Sequence, residues 1–317
     1  MISVIPLILV TWSITAVVAT GAPLKCSDVA SAPARLLHID FDAMRQTYVG
    51  KYLLYQLDKP EMHSNMVAFQ SIFSFDLRRQ LHGMTIYSVT SAPNDSVVVT
   101  YADFEPAQLR KLITGGDGAF TITNRQHVIY SWIDKKKNRN SPNGGRTYGA
   151  ILHGRMIAGN TRRSVIDVLT VVDGRAPHLS SETATELFGT SGITNFILAC
   201  AQDFGFLEPN SKLAPLKLAK SVKLKVGELD DMLKASVSVD TADEQTARQI
   251  SLVAQGLITV LGLQKDNPWA AKLAEGMTIE PVATGFHLDV SVSSEDLMAA
   301  LKAHMATNAP AAKLAGQ

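Results

Sequence analysis

Residues 233–239 read Leu233-Lys234-Ala235-Ser236-Val237-Ser238-Val239, an unbroken alternation of apolar and polar side chains. Successive side chains of a strand point to opposite sides, so this pattern predicts a strand with one apolar and one wet face. Just upstream, Val222-Lys223-Leu224-Lys225-Val226 repeats the alternation. Downstream, Thr241 and Glu244 have capping-box spacing ahead of an apolar run, predicting a helix to about residue 261. Its Ile250, Val253, Leu257, Val260 and Leu261 fall on one stripe, expected to cover Leu224, Val237, Leu288 and Val290 of the strands. Asn267-Pro268-Trp269 opens another helix, with asparagine as cap and proline where it lacks no needed donor, and Gly276 stops it. Residues 278–284 and 286–293 form a hairpin with His287, Asp289 and Ser291 on its polar side, and a last helix spans 295–305.

Outward toward the N-terminus the same grammar recurs. A short strand (36–39) leads to Asp40, which caps a helix with Phe41, Met44, Tyr48, Tyr52 and Tyr55 on its apolar positions. A second helix covers 61–73. Strands are expected at 84–90 and 97–103, a helix at 105–113, a hairpin at 120–123 and 127–133, strands at 147–152 and 155–160, and a helix at 161–172. The fold class is α+β: antiparallel sheets with helices packed on one face, in two related strand–strand–helix–strand–strand–helix units. The expected division is a signal peptide at 1–21, a flexible tether at 22–34, an N-terminal unit at 35–180, a C-terminal unit at 187–306 and a disordered tail at 307–317. By size, residues 187–305 are expected to fold alone.

Composition narrows the function classes. The chain has 317 residues, 30 basic and 29 acidic, and a net charge of +1, which gives no electrostatic footprint for nucleic acid. Two cysteines exclude a disulfide scaffold; a Cys26–Cys200 bridge stays open as an alternative to free thiols. Residues 1–24 carry no charge, and Ala19-Thr20-Gly21 has the small side chains of a leader-peptidase site. No basic residue precedes the apolar region. The expectation is export to periplasm or medium after cleavage; the rival reading is a membrane anchor formed by residues 2–24. Lys25 immediately before Cys26 argues against lipid attachment at that cysteine.

Phe75-Asp76-Leu77-Arg78-Arg79-Gln80-Leu81-His82-Gly83, with Asp40-Phe41-Asp42 and Tyr130-Ser131-Trp132-Ile133-Asp134, resembles a family of secreted bacterial proteins of verrucomicrobial type. The resemblance implies an exported or envelope location and brings no catalytic residues with it.

No residue pattern specifies a reaction, so the expectation is that the protein is not an enzyme. HExxH, GxSxG, CxxC, EF-hand and Walker-type patterns are absent. Gly115-Gly116-Asp117-Gly118 has the makings of an anion nest but follows a helix, which favours a helix stop. Asp40 and Asp42 suit a helix cap and first turn better than a metal pair, even with His38 nearby. His287 and Asp289 share a strand face and are the one acid–base pair kept in view, against a plain solvated face. No metal and no cofactor is expected. Lys135, Lys136, Lys137, Arg139 and Arg146 form the densest basic cluster, a candidate patch for an anionic envelope component or else a bare loop tip.

The halves differ in one respect. Strands of the second half have a polar side, whereas those of the first are apolar on both, and all seven tyrosines lie between positions 48 and 148. A strand apolar on both sides needs two covers. Helices 105–113 and 161–172 are one expected cover, the N-terminal helices with Phe69 and Phe73 the other. The expected function is an exported envelope protein acting as a binding or structural module. The alternative is a carrier of an apolar ligand such as a lipid, held between the first sheet and the N-terminal helices by Tyr87, Tyr101, Tyr130, Trp132 and Tyr148. An enzyme of unfamiliar mechanism ranks third.

Overall fold

The computed structural model describes residues 22–90, 92, 95–134, 144–189, 193–202, 204, 214–264 and 267–308. The expected leader and the end of the tail lie outside them. The protein is α+β, but its strands form one twelve-stranded sheet, antiparallel at every pairing, instead of two sheets. In chain order the strands are β1 (Arg35–Asp40), β2 (Leu81–Ser88), β3 (Val97–Ala102), β4 (Phe120–Asn124), β5 (His127–Ile133), β6 (Arg146–Leu152), β7 (Arg155–Gly159), β8 (Asn195–Ala201), β9 (Ala219–Leu229), β10 (Met232–Thr241), β11 (Met277–Val282) and β12 (Gly285–Ser293). The helices are α1 (Phe41–Gln46), α2 (Tyr48–Leu57), α3 (Pro60–Phe73), α4 (Leu77–Gln80), α5 (Pro106–Thr114), α6 (Arg162–Val172), α7 (Ser181–Phe188), α8 (Glu244–Gly262), α9 (Pro268–Glu275) and α10 (Ser294–Asn308).

The sheet order is β11-β12-β10-β9-β8-β1-β2-β3-β7-β6-β5-β4. From the central pair the chain steps outward through β2 and β3 on one side, and through β9 and β10 on the other. Each side then crosses by helix to the far edge and returns inward, by β4 to β7 or by β11 and β12. The two related units are visible as topology, yet β1 pairs with both β2 and β8 and joins them into one sheet. Sequence reading left 195–201 without a strand because its apolar run, Phe196-Ile197-Leu198-Ala199-Cys200, has no alternation. A strand with partners on both sides and cover on both faces has no wet side to mark it.

The two faces of the sheet are unequal. One face, here face A, carries the driest core: Val99, Ile129, Ile157, Val165 and Leu169 have no exposed surface. Helices α6 and α7 cover it, with the N-terminal segment. Face B carries α5, with α3 and α4, over the first half and α8 over the second. Helices 105–113 and 161–172 therefore lie on opposite faces and are not a single cover. The first half is covered on both sides, as its doubly apolar strands require, with α6 and α7 on face A and α5 supplying most of the cover on face B. The wet side expected in the second half exists in register: Lys223, Ser238 and His287 are neighbours on face A, as are Lys225, Ser236 and Asp289.

Residues 22–34 are packed and do not form a flexible tether. Cys26–Asp28 makes a short 3-10 turn, Val29 is fully buried, and Ala30 bridges to His178. Asp28, 1% exposed, accepts a hydrogen bond from Tyr101 Oη at 2.9 Å and pairs with Arg155. Ala22 N donates to Asp40 Oδ1 at 3.0 Å, and its carbonyl accepts from His38 Nε2 at 3.0 Å, leaving Nδ1 to accept from Thr85 Oγ1 at 2.9 Å. Burial lowers the His38 pKa, which keeps the ring neutral and suits one donor and one acceptor nitrogen. Composition misled here because Ser27-Asp28-Val29-Ala30 lacks period and bulk, whereas one buried carboxylate anchors it.

The expected single helix after Asp40 breaks at Thr47, whose hydroxyl oxygen accepts from Gly50 N at 2.9 Å and starts α2. Position 50 must be glycine: a Cβ there would lie 1.8 Å from Met44 O. Glu228 of β9 accepts from Val49 N at 3.2 Å and from Ser294 Oγ at 3.0 Å, so the second half holds the start of α2. The cap of α8 is Asp243, accepting from Thr246 N at 2.8 Å; Thr241 instead donates to the carbonyls of Asp243 and Thr284. The expected α8 stripe is corrected as well. Ile250 is buried, but Val253, Leu257 and Val260 are 46, 55 and 57% exposed. Only the first turns, with Ala247, Ile250 and Ser251, are buried, and α9 packs along the helix beyond them.

On the outer part of the first half, His127 Nε2 lies 2.9 Å from Asp173 Oδ1, and Arg175 pairs with the same carboxylate. Burial by itself would raise that carboxyl, but the hydrogen bonds from His127 and Arg175 together outweigh it and hold it below its ordinary value. A depressed folded pKa contributes stability above the unfolded value, about 3.9, and loses it as pH falls through the folded one. Asp173→Asn should therefore lose less stability than the parent as thermal melts are moved into the acid range. Equal acid limbs would show that this carboxylate contributes nothing.

Candidate functional site

The site is built on face B of the first half. Strand alternation sends Thr100 of β3, Trp132 of β5 and Met156 of β7 to this side, where α5 crosses above them. Leu109 and Ile113, one turn apart, are the buried face of α5, with Leu112 beside them. Phe104 enters just before that helix. Phe69 of α3 meets Phe75 edge to face, ring centres 5.3 Å apart at 83°. The Trp132 ring approaches Gly149 of β6: a Cβ at that position would lie 3.1 Å from the ring and 2.9 Å from Ile157 O. These residues surround a cavity of about 430 Å³, inside the range of about 300–1,000 Å³ usual for small-molecule sites. Its lining has one polar side chain, Thr100, and no charge. Hollows of about 590 and 660 Å³ in the second half are flanked by Glu244 and Arg248, and by Lys272 and Asp296.

Two rows of paired side chains run along face B from the cavity. Met156 and Thr100 begin a row of paired positions running Met84, Ile39, Ile197, Val226, Ala235, Val290 and Met277. A parallel row runs Val98, Ile86, Leu37, Ala199, Leu224, Val237, Leu288 and Ile279. Every member of both rows is half-buried and none is fully buried. On the opposite side of the central strands, Leu36, His38, Thr85, Tyr87 and Val99 are at most 3% exposed. Face B is thus an apolar floor that its helices leave partly open, with exposed Leu53, Tyr55, Val67 and Ile72 on the N-terminal helices.

Of the aromatics expected to hold a ligand, only Trp132 lines the cavity, and Tyr130 is buried in the cluster beneath it. Tyr87, Tyr101 and Tyr148 belong to the face A core and do not converge with them. Parity explains the split: Tyr130 and Trp132 are two apart on β5, while Tyr148 sits opposite Ser131 and so turns to the other side. Burial raises the pKa of Tyr87 and of Tyr101, which stay neutral phenols. Sequence reading missed Phe75, Phe104, Leu109, Leu112, Ile113 and Met156; the helical spacing of Leu109, Leu112 and Ile113 was the available signal. It also assigned the second wall to the N-terminal helices, whereas α5 supplies most of it and α3 contributes Phe69.

In the expected basic patch, Lys135, Lys136, Lys137 and Arg139 lie outside the described residues. Arg146 is turned inward, donating to Gly118 O at 2.9 Å and Ser131 Oγ at 3.1 Å, and stacks 4.8 Å from the Phe120 ring centre. Asp40 caps α1 through Ala43 N at 2.8 Å. Asp42 pairs with Arg45 and lies 3.0 Å from His82 Nδ1, whose Nε2 is 3.0 Å from Asp103. His287 Nδ1 is 2.9 Å from Ser238 Oγ, and Asp289 is exposed beside it in register with Ser236. Among the described residues no three His, Cys, Asp or Glu side chains gather as a metal site. Cys26 and Cys200 are free thiols, and burial pushes Cys200 up to about 11, far from a reactive thiolate.

No protein-family model and no curated protein matches the chain. Among solved structures, crystal form III of TP0453 is similar with a TM-score of 0.50 at 9% identity, covering 88% of this chain and 97% of that one. Crystal form I of TP0453 gives 0.47 at 9% identity, over 88% and 96%. Among the described residues no helix is long and apolar enough to cross a membrane. At this identity the likeness shows the fold alone: an α+β arrangement shared over nearly the whole length of both chains.

Proposed function

We propose that the protein is an exported, non-enzymatic envelope module that carries an apolar ligand, such as the acyl chain of a lipid, on face B of its sheet. The observation that carries this reading is the charge-free cavity at Trp132 opening onto two rows of half-buried apolar side chains that cross the sheet. Soluble proteins seldom leave a contiguous apolar surface of this extent unless something occupies it. The leader-like first 21 residues and the resemblance to secreted bacterial proteins support the address.

The test is ligand retention and replacement. Native mass spectrometry of the full-length gene product, taken from its own cells, should show a bound lipid-sized mass. An environment-sensitive apolar dye should bind at the cavity and quench Trp132 by energy transfer. Leu112→Trp fills the cavity from α5 and should weaken dye binding by at least about tenfold, equivalent to 1.4 kcal/mol, with little change in thermal stability. Ligand-free protein in every preparation, or dye binding indifferent to this substitution, would overturn the reading.

A further inference from the structure

We propose that the outer edge of β4 pairs antiparallel with the same edge of a second copy of this chain, centred on Ile122. The inference is independent of the ligand reading.

The two ends of the sheet are built differently. An edge strand presents unpaired N–H and C=O groups, and proteins usually guard it with charge, proline or a bulge. The edge strand β11 carries Glu280 and Pro281 within its six residues. The edge strand β4, Phe120-Thr121-Ile122-Thr123-Asn124, has neither a charge nor a proline, and it pairs with β5 residue for residue without a bulge. Among the described residues no further strand pairs with it.

Its sequence is also self-complementary. A twofold axis through Ile122 places Thr121 opposite Thr123 of the second copy, and Phe120 opposite Asn124, with no like charges facing each other. Thr–Thr cross-strand pairs are favourable, and a shared patch of this kind is what a twofold interface requires. The core supplies a second argument. Val99, Ile157, Ala150 and Ile129 are consecutive partners across face A and at most 1% exposed, and Ile122 is the next member of that row. Ile122 alone stays half-buried, and among the described residues no strand lies on its outer side. The second copy's Ile122 completes the row, and the net charge of +1 per chain offers no long-range repulsion.

Sedimentation equilibrium of the full-length gene product, in the form the cell accumulates, should show a reversible dimer. Thr121→Lys with Thr123→Lys sets lysine opposite lysine twice and should weaken the dimer by about tenfold or more. Thr121→Lys with Thr123→Glu sets lysine opposite glutamate twice and should restore it. On the parent protein, amide exchange at residues 120–124 should slow as protein concentration rises, a readout that does not depend on any variant folding. A parent that is monomeric at every concentration, a lysine pair that leaves the dimer intact, a lysine–glutamate pair that fails to restore it, or exchange at 120–124 indifferent to concentration would each overturn the proposal.

Discussion

Leu36→Asp should unfold both halves of the protein in one transition. Leu36 is 2% exposed in β1, flanked by Tyr87 of β2 and Cys200 of β8. A carboxylate at that point lies among apolar side chains, with His38 kept neutral by burial and the nearby Lys223 amine already paired with Asp240, so it either remains charged at a cost of several kcal/mol or takes up a proton through a large upward pKa shift. Against a total stability of about 5–15 kcal/mol, that is enough to remove the native state or nearly so. The halves carry their own reporters, Trp132 in the first and Trp269 in the second. Single-tryptophan versions should lose both signals at the same denaturant concentration. If Trp269 instead kept a native transition while Trp132 lost its own, the halves would be separate folding units. The expectation that residues 187–305 fold alone changes accordingly: such a fragment exposes the β1 edge of β8 and the side of Phe188 and Cys200 that packs in the face A core with Leu36 and Val29.

Asp28→Ala should cost about 1–3 kcal/mol, the usual penalty for leaving a buried hydrogen-bonding group without its partner. The carboxylate is 1% exposed, pairs with Arg155 and accepts from Tyr101 Oη. Its loss strands a buried phenol and a guanidinium and frees the segment that seats Val29 over α6. The midpoint of chemical unfolding should fall, and protease sensitivity should appear first near residues 22–34. Adding Tyr101→Phe to Asp28→Ala should cost less than Tyr101→Phe does alone, because the two groups act through each other. Additive losses would mean that the hydrogen bond contributes no coupling.

Local rules made much of this fold legible. The alternation in 222–226 and 233–239, Asn267-Pro268 at the start of α9, Asp40 as a cap and the hairpin at 127–133 are decided by neighbours in sequence, and the structure has them where the pattern puts them. The α+β class followed from those elements. The helix at 105–113 was legible too, but nothing local said which side of the sheet it would occupy.

The remainder depends on contacts between residues far apart in the chain. β8 has no alternation, and only its pairing with β1, about 160 positions away, makes it the strand that joins two sheets into one. Residues 22–34 have the composition of a tether, and contacts with distant residues, among them the pairing of buried Asp28 with Arg155, 127 positions on, turn them into core. The tyrosines looked like one cluster because they share a stretch of sequence, yet strand parity and the two-sided cover divide them between opposite faces. Period and capping are short-range properties, so the sequence by itself determined the elements that carry them, such as β9, β10 and α9. Which face is dry, where the cavity closes and how many sheets there are depend on long-range register, and only the tertiary structure decided those.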